Sequence, residues 1–147
     1  MQFKIIDIEE KHIAQIKELE KMCFPVPWTD EQLRAQLPDK MHVFIIAESD
    51  GIVLGYVGMM YVLDEGYISN VAVSPEFRRM GIADALIEEL LNRARTLELS
   101  FVTLEVRESN SPARELYKKH SFSDVGMRKN YYSSPTENAI LMTTFLK

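Results

Sequence analysis

At 147 residues, with 46% apolar and 27% charged side chains, the chain has the make-up of a globular protein with room for one real core, and a single domain spanning 1–147 is expected. A net charge of −5 excludes a global basic field of the kind that holds nucleic acid, so no direct nucleic-acid binding is expected and a basic protein partner fits the sign better. One cysteine, Cys23, excludes an internal disulfide; with no secretory apolar region at the N-terminus and no membrane-length apolar run, the expected location is the cytoplasm, away from a membrane.

In chain order, Phe3–Ile8 reads as a strand, and His12–Phe24 as a helix with Ile13, Ile16, Leu19 and Cys23 on one face. Pro25-Val26-Pro27-Trp28 breaks it, and Thr29-Asp30-Glu31-Gln32 has the pattern of a capping box for a short second helix reaching Leu37. His42–Glu48 and Ile52–Leu63 are strands joined through Ser49-Asp50-Gly51, a strong hairpin signal. Tyr67–Val73 is the next strand, followed by a helix from Arg79 to about Leu97 whose apolar stripe is Ala83, Leu86, Leu90, Ala94 and Leu97, widened by Ile87 and Leu91. Phe101–Arg107 is a strand and Pro112–His120 a helix with Ser111 as N-cap. Val125–Tyr132 and Ala139–Leu146 close as a final hairpin. The order β-α-α-β-β-β-α-β-α-β-β predicts an α/β (α+β) fold.

The stretch Asn70 to Ala85 carries the first chemistry. Val71-Ala72-Val73 ends a strand, Ser74-Pro75 breaks it, and Arg78-Arg79-Met80-Gly81-Ile82-Ala83-Asp84 opens a long helix. A helix's first turn leaves backbone N–H groups without partners and carries the positive end of the macrodipole. Gly81 removes the side chain that would hold a phosphate off that backbone, and two arginines precede it, so the segment fits a di-anion such as pyrophosphate. Its spacing, R-x-x-G-x-A, differs from that of an NTPase loop or a dinucleotide-binding turn. By itself the hexapeptide is equally a Gly-containing helix start flanked by solvated arginines.

With its flanking strand and helix, the segment resembles the acetyl-coenzyme A signature of the GCN5-related N-acetyltransferase (GNAT) family. A second segment, Leu104-Glu105-Val106-Arg107-Glu108-Ser109-Asn110 through Ala113 and Leu116-Tyr117, resembles the L-E-V-R-x-S-N-x-x-A-x-x-L-Y block of the RimI-type N-terminal acetyltransferases of that family. Arg128-Lys129-Asn130-Tyr131-Tyr132, then Glu137 to Met142, and upstream Phe24 to Trp28, resemble further blocks of the same group. The resemblance covers nearly the whole chain. It implies the GNAT fold, with a mixed, mostly antiparallel central sheet. It also implies acetyl-CoA as co-substrate without a metal, and acetylation of a protein N-terminus, with the N-terminal alanine of a ribosomal protein as the candidate. Other acetyltransferase activity on a small amine or lysine, or non-catalytic acetyl-CoA binding in a regulatory domain, uses the same scaffold and stays open.

The chemistry needs a neutral amine, a polarised thioester and a protonated leaving group. An α-amine titrates near 7.7–8.0, so roughly a tenth to a sixth of it is neutral at pH 7, and moderate help from a base suffices. Glu105 is the candidate base, on a strand face shared with Thr103 and Arg107; a structural carboxylate paired with Arg107 is the other reading. Tyr117 is the candidate acid, by the resemblance; its helical spacing with Ala113 and His120 equally describes a core aromatic. Asn110 resembles a cofactor-contacting asparagine and could equally form a turn or cap. Val71 and Val73 can offer backbone to the pantetheine arm, as an added strand would use it, provided that the strand starting at Phe101 diverges from them. Trp28, Tyr131 and Tyr132 are candidates to wall the substrate's first residue, with Trp28 as a packing plug the alternative.

Two positions depart from the group. Asn138 stands where aspartate is usual, and Ser121 where glycine is usual; a left-handed serine there costs about 1 kcal/mol. Cys23 reads as buried filler on an apolar helix face rather than a nucleophile, and His12, His42 and His120 are too scattered to suggest a metal site. Arg107, Arg114, Lys118 and Lys119 form a basic cluster that could meet the 3′-phosphate of coenzyme A or simply be solvated. Oligomeric state is not readable from the sequence.

Overall fold

The structure, a computed structural model, describes residues 2–37 and 41–147. Its elements run β1 (Lys4–Asp7), a 3-10 turn (Glu10–His12), α1 (Ile13–Cys23), α2 (Asp30–Arg34), β2 (His42–Ser49), β3 (Ile52–Val62), β4 (Glu65–Val73), a second 3-10 turn (Pro75–Phe77), α3 (Ile82–Thr96), β5 (Phe101–Arg107), α4 (Ser111–Lys119), β6 (Ser123–Tyr132) and β7 (Glu137–Phe145). The predicted order of strands and helices holds. Seven strands form one sheet in the order β1-β2-β3-β4-β5-β7-β6, antiparallel except at β4–β5.

Alternation along the strands assigns each face a core. Ile13, Ile16 and Leu19 of α1 and Leu33 of α2 pack with Phe44, Ile46 and Tyr56 on one face. On the other, Leu86, Ile87, Leu90, Leu91 and Ala94 of α3 meet Ile45, Val57, Val102 and Leu104. Truncating a fully buried residue such as Ile16 or Leu90 to alanine costs about 2–5 kcal/mol.

Local chemistry sets several boundaries. Thr29 caps α2 by accepting from the Gln32 backbone N–H, and the Gln32 side chain accepts from Thr29 in return, as the capping-box pattern predicts; the helix itself stops at Arg34, short of Leu37. The Asp50-Gly51 hairpin turn has positive φ at both residues (49° and 81°), which its residue types allow. The predicted start of the long helix at Arg79 is corrected: Arg79 and Gly81 both have positive φ (66° and 80°), so α3 begins only at Ile82. Leu97, placed on the buried stripe, is exposed, while Ile82 is buried. The cap of α4 is Asn110 rather than Ser111, with its Oδ1 accepting from Ala113 N–H at 3.3 Å.

Two features of the sheet create the site. At Gly58/Met59 the β3–β4 register slips, forming a bulge at Ser69 that turns Asn70 and Ala72 toward the α1 face. Glycine is required opposite: a Cβ at Gly58 would lie 2.8 Å from Asn70 Oδ1 and 2.9 Å from the Phe44 ring. Just beyond, β4 and β5 part. They pair only from Glu65↔Phe101 to Tyr67↔Thr103, while β4 continues along β3 and β5 along β7. The strand starting at Phe101 therefore diverges from Val71–Val73, whose outer edge no strand pairs, although the Val73 carbonyl accepts from Arg78 Nε at 3.3 Å.

Candidate active site

The wedge between the parted strands opens into a cleft of about 700 Å³. Glu20, Cys23, Trp28 and the turn between them form one wall; Val71 and its neighbours on β4 form the floor. Leu104–Arg107, Asn110 and Tyr117 form the opposite wall, and Tyr131, Tyr132 and Ser133 the rim. Among the described residues, no group of three or more His, Cys, Asp or Glu is placed to hold a metal.

Glu105 enters the cleft from the α1 face of β5. One carboxylate oxygen lies 3.7 Å from Arg128 Nε, and the same carboxylate is the chief cause of a raised pKa at the Tyr131 phenol. The other oxygen, Oε2, is buried with no hydrogen-bond partner. An unpaired buried carboxylate oxygen is costly unless a donor arrives, so this atom is available to accept an N–H or a water. The alternative pairing with Arg107 is not what the structure shows. Arg107 donates to Ser133 O (3.0 Å), Pro135 O (2.9 Å) and Glu137 (3.3 Å), and lies 4.5 Å from the Tyr132 ring centroid. It holds the β6–β7 turn over the cleft.

Tyr117 reaches the wedge from the other face of the sheet. It is 7% exposed, and burial first, with the neighbouring Tyr132 second, pushes its pKa up to about 12, so its phenol is a neutral donor near pH 7. Its position is fixed from below by the end of α4. Phe122 N–H donates to Tyr117 O and Ser121 N–H to Lys118 O, each at 3.0 Å, a Schellman motif with left-handed Ser121 (φ 70°) at its turning point. The hydrophobic contact expected of that motif is the Phe122 ring against the Tyr117 ring, centroids 5.7 Å apart. The unusual serine therefore sits in the device that aims Tyr117.

The predicted phosphate socket follows β4 and lies outside the cleft lining, with Gly81 and Asp84 on a second pocket beside His120 and Ser121. Arg78 Nε donates to Val73 O at 3.3 Å, and its guanidinium reaches Cys23 Sγ at 3.7 Å. A Cβ on Gly81 would meet nothing within 4 Å, so the backbone there faces open space, as an approaching phosphate requires. Met80 is exposed, Ile82 is buried in the core and Ala83 is half-buried. The Asp84 carboxylate holds Lys119 (2.5 Å) and His120 (2.6 Å), which lower its pKa. The basic cluster is largely used inside the fold, since Arg114 also pairs with Asp124. Cys23 is half-buried: it packs against the α1-side core and also lines the cleft wall.

Glu20 is the residue missed by the sequence reading. It is 1% exposed and accepts from the Tyr56 phenol, from Asn70 Nδ2 (3.1 Å) and from the Trp28 backbone N–H (2.9 Å). It ties the end of α1, the β4 bulge and the Trp28 turn together. Burial and the Glu20 bond drive the Tyr56 pKa upward, keeping that phenol a donor. Its sequence signal was an acid four residues after Ile16 and seven after Ile13, on the apolar face of α1. Trp28 is both plug and wall: it packs against the α1-side core and lines the cleft. Asn138 braces the hairpin, accepting from Asn130 N–H (3.0 Å) and donating to Glu108 (3.3 Å), where an aspartate would face a second carboxylate.

Comparison with known proteins agrees with this fold. The model of the Acetyltransferase (GNAT) family matches residues 13–122. A ribosomal protein bS18-alanine N-acetyltransferase of Haemophilus influenzae is 33% identical over 97% of this chain and 98% of its own length. Among solved structures, the ribosomal-protein-S18-alanine N-acetyltransferase from Escherichia coli superposes with a TM-score of 0.91 at 26% identity, covering 99% of this chain and 95% of that one. Ard1 from Thermoplasma volcanium gives 0.89 at 28% identity, covering 100% and 99%.

Proposed function

Because the chain belongs to the acetyltransferase (GNAT) family, we propose that it transfers the acetyl group of acetyl-CoA to the α-amine of a protein N-terminus, a ribosomal-protein alanine being the candidate, by direct attack in a ternary complex. The observation that carries this reading is the buried, partnerless Oε2 of Glu105 beside a wedge that Tyr117 enters from the opposite face. Acetyl-CoA supplies the thioester carbonyl that the amine attacks. The residues present suit it: open backbone at Gly81 for the pyrophosphate, and the unpaired β4 edge at Val71–Val73 for the amide-bearing arm.

Glu105 Oε2 accepts the amine's proton, directly or through a water, as the carbon–nitrogen bond forms. Tyr117 donates a hydrogen bond to the departing sulfur. A phenol raised to about 12 is some three to four units too weak an acid to protonate a thiol of pKa near 8.5 outright, an uphill transfer of roughly 5 kcal/mol. Its role is therefore stabilisation of the developing thiolate. Trp28, Tyr131 and Tyr132 line the cleft and flank the incoming first residue, with Asn110 on the cofactor side; Arg78–Asp84, which follow β4 outside that lining, supply the socket. The domain is taken to be residues 1–147, working in the cytoplasm, which fits a chain with one cysteine and no described helix long and apolar enough to cross a membrane.

Mass spectrometry on peptides beginning with Ala, Ser or Met tests the proposal. Acetyl on the α-amine is expected; transfer only to lysine or free amines, or none with acetyl-CoA bound, overturns it.

A further inference from the structure

The open part of the α1-side sheet face carries an aromatic row on three adjacent strands. Tyr67 of β4 stands edge-on to Phe101 of β5 (centroids 6.5 Å), which contacts Phe145 of β7 (6.2 Å). Met60, paired with Tyr67 across β3–β4, extends the row. Tyr67 is 39% and Phe145 67% exposed, so rings normally buried between layers face solvent here. The rim is acidic: Glu65 accepts from the Tyr67 phenol at 2.8 Å, and Asp64 precedes it in the β3–β4 turn.

The row continues from the active site. Phe101, Thr103 and Glu105 share one face of β5, and at about 3.3 Å per residue the Phe101 ring lies roughly 13 Å along the strand from Glu105. An extended polypeptide whose amine sits at Glu105 covers that span in about four residues. Resting on the N-terminal acetyltransferase reading above, we infer that Tyr67, Phe101 and Phe145 form a docking surface for the substrate polypeptide from about its fourth residue onward. The segment that fits is one mixing apolar and basic side chains. The aromatic row takes the apolar ones, and Asp64 and Glu65, on a chain of net charge −5, take the basic ones.

The test uses the full chain with coenzyme A and two fluorescent peptides of the same first three residues, a tripeptide and a ten-residue peptide carrying Leu, Lys and Arg from position four. Binding is read by anisotropy, and turnover by acetyl transfer. The ten-residue peptide is expected to bind at least ten-fold more tightly than the tripeptide. Phe145→Ser and Tyr67→Ser should remove most of that advantage, Glu65→Gln a smaller part, and none should change tripeptide turnover. Length-dependent binding that survives both serine variants overturns the docking surface, as does an equal gain from a peptide with Glu in place of Lys and Arg. So does sedimentation showing a dimer that Phe145→Ser dissolves while peptide binding is untouched. Because anisotropy needs no turnover, stripe-dependent binding supports the surface even if no peptide is acetylated, and that second result counts only against the transfer reaction.

Discussion

On the proposed co-substrate side, from β4 to Gly81, the groups on offer are backbone: an open left-handed glycine, the first turn of α3, and the edge of β4 that no strand pairs. At the Trp28 end they are side chains gathered from α1, β3, β5 and the β6–β7 hairpin, held by Glu20 on one wall and Arg107 on the other. A backbone site accepts any ligand with the right phosphates and amides. A side-chain site is particular about what it admits. The first end therefore suits a co-substrate shared by a whole family, and the second suits a choice among amines.

That division predicts which kinetic constant each variant moves. Glu105→Gln should have the largest effect, lowering kcat about 100-fold or more at pH 7 while calorimetry shows acetyl-CoA binding intact. The α-amine is mostly protonated below about pH 7.7 and mostly neutral above about 8, so the defect should shrink as pH rises. An equal defect at pH 6.5 and pH 9 would show that Glu105 acts other than as a base.

Glu20→Ala comes next and should appear first in stability. It strips the acceptor from the Tyr56 phenol, Asn70 amide and Trp28 N–H together; at about 1–3 kcal/mol per buried orphan the loss should be about 3 kcal/mol or more, read by urea unfolding. The surviving enzyme should show a raised peptide KM with little change for acetyl-CoA. A change confined to acetyl-CoA would contradict the division between the two ends.

Gly81→Val addresses the other end. Valine at φ 80° costs about 1–3 kcal/mol of backbone strain and puts a side chain into the open socket. Acetyl-CoA affinity should fall about ten-fold or more and peptide KM should hold.

The same division explains how much was legible in the sequence. The candidate socket is a contiguous run, so residues 78–84 could be proposed from local sequence once the flanking strand and helix were counted, although Arg79 and Gly81 both being left-handed moved the helix start from Arg79 to Ile82. Element order followed periodicity, and the Thr29 capping box needs only four neighbouring residues. Glu20 was hidden because its meaning lies in Tyr56 and Asn70, 36 and 50 residues away. The role of Arg107 stayed open for a similar reason, since its partners at Ser133, Pro135 and Glu137 meet it only when the hairpin folds over the cleft. Non-local bonds, rather than weak local signals, set the limit.

Tyr117 lies where the two ends meet, and its variant should have a smaller effect. Tyr117→Phe removes one hydrogen bond to the departing sulfur, so kcat should fall by about ten-fold rather than the hundred-fold or more expected for obligatory protonation. Its raised pKa fixes the sign of the pH test. The neutral, donating phenol persists below about 12, so wild type should lose no activity through this group between pH 8 and pH 10, and the variant's profile should run parallel over that range. A wild-type alkaline limb near pH 10 that Tyr117→Phe abolishes would mean the phenol ionises at its ordinary pKa and acts as a full acid.

The smallest effect is expected at Ser121, which touches neither end yet completes the turn that aims Tyr117. Its φ of 70° strains a serine but not a glycine, while glycine costs some extra chain entropy in the unfolded state. The strain relief is the larger of the two, because the Schellman bonds at Tyr117 O and Lys118 O hold this residue left-handed whatever its side chain. Ser121→Gly should therefore raise stability by up to about 1 kcal/mol, seen as a Tm a few degrees higher, with kcat unchanged. If kcat rises as well, the strain at Ser121 had been reaching Tyr117 through Phe122, and the aim of the phenol rather than its acidity would be what limits its contribution.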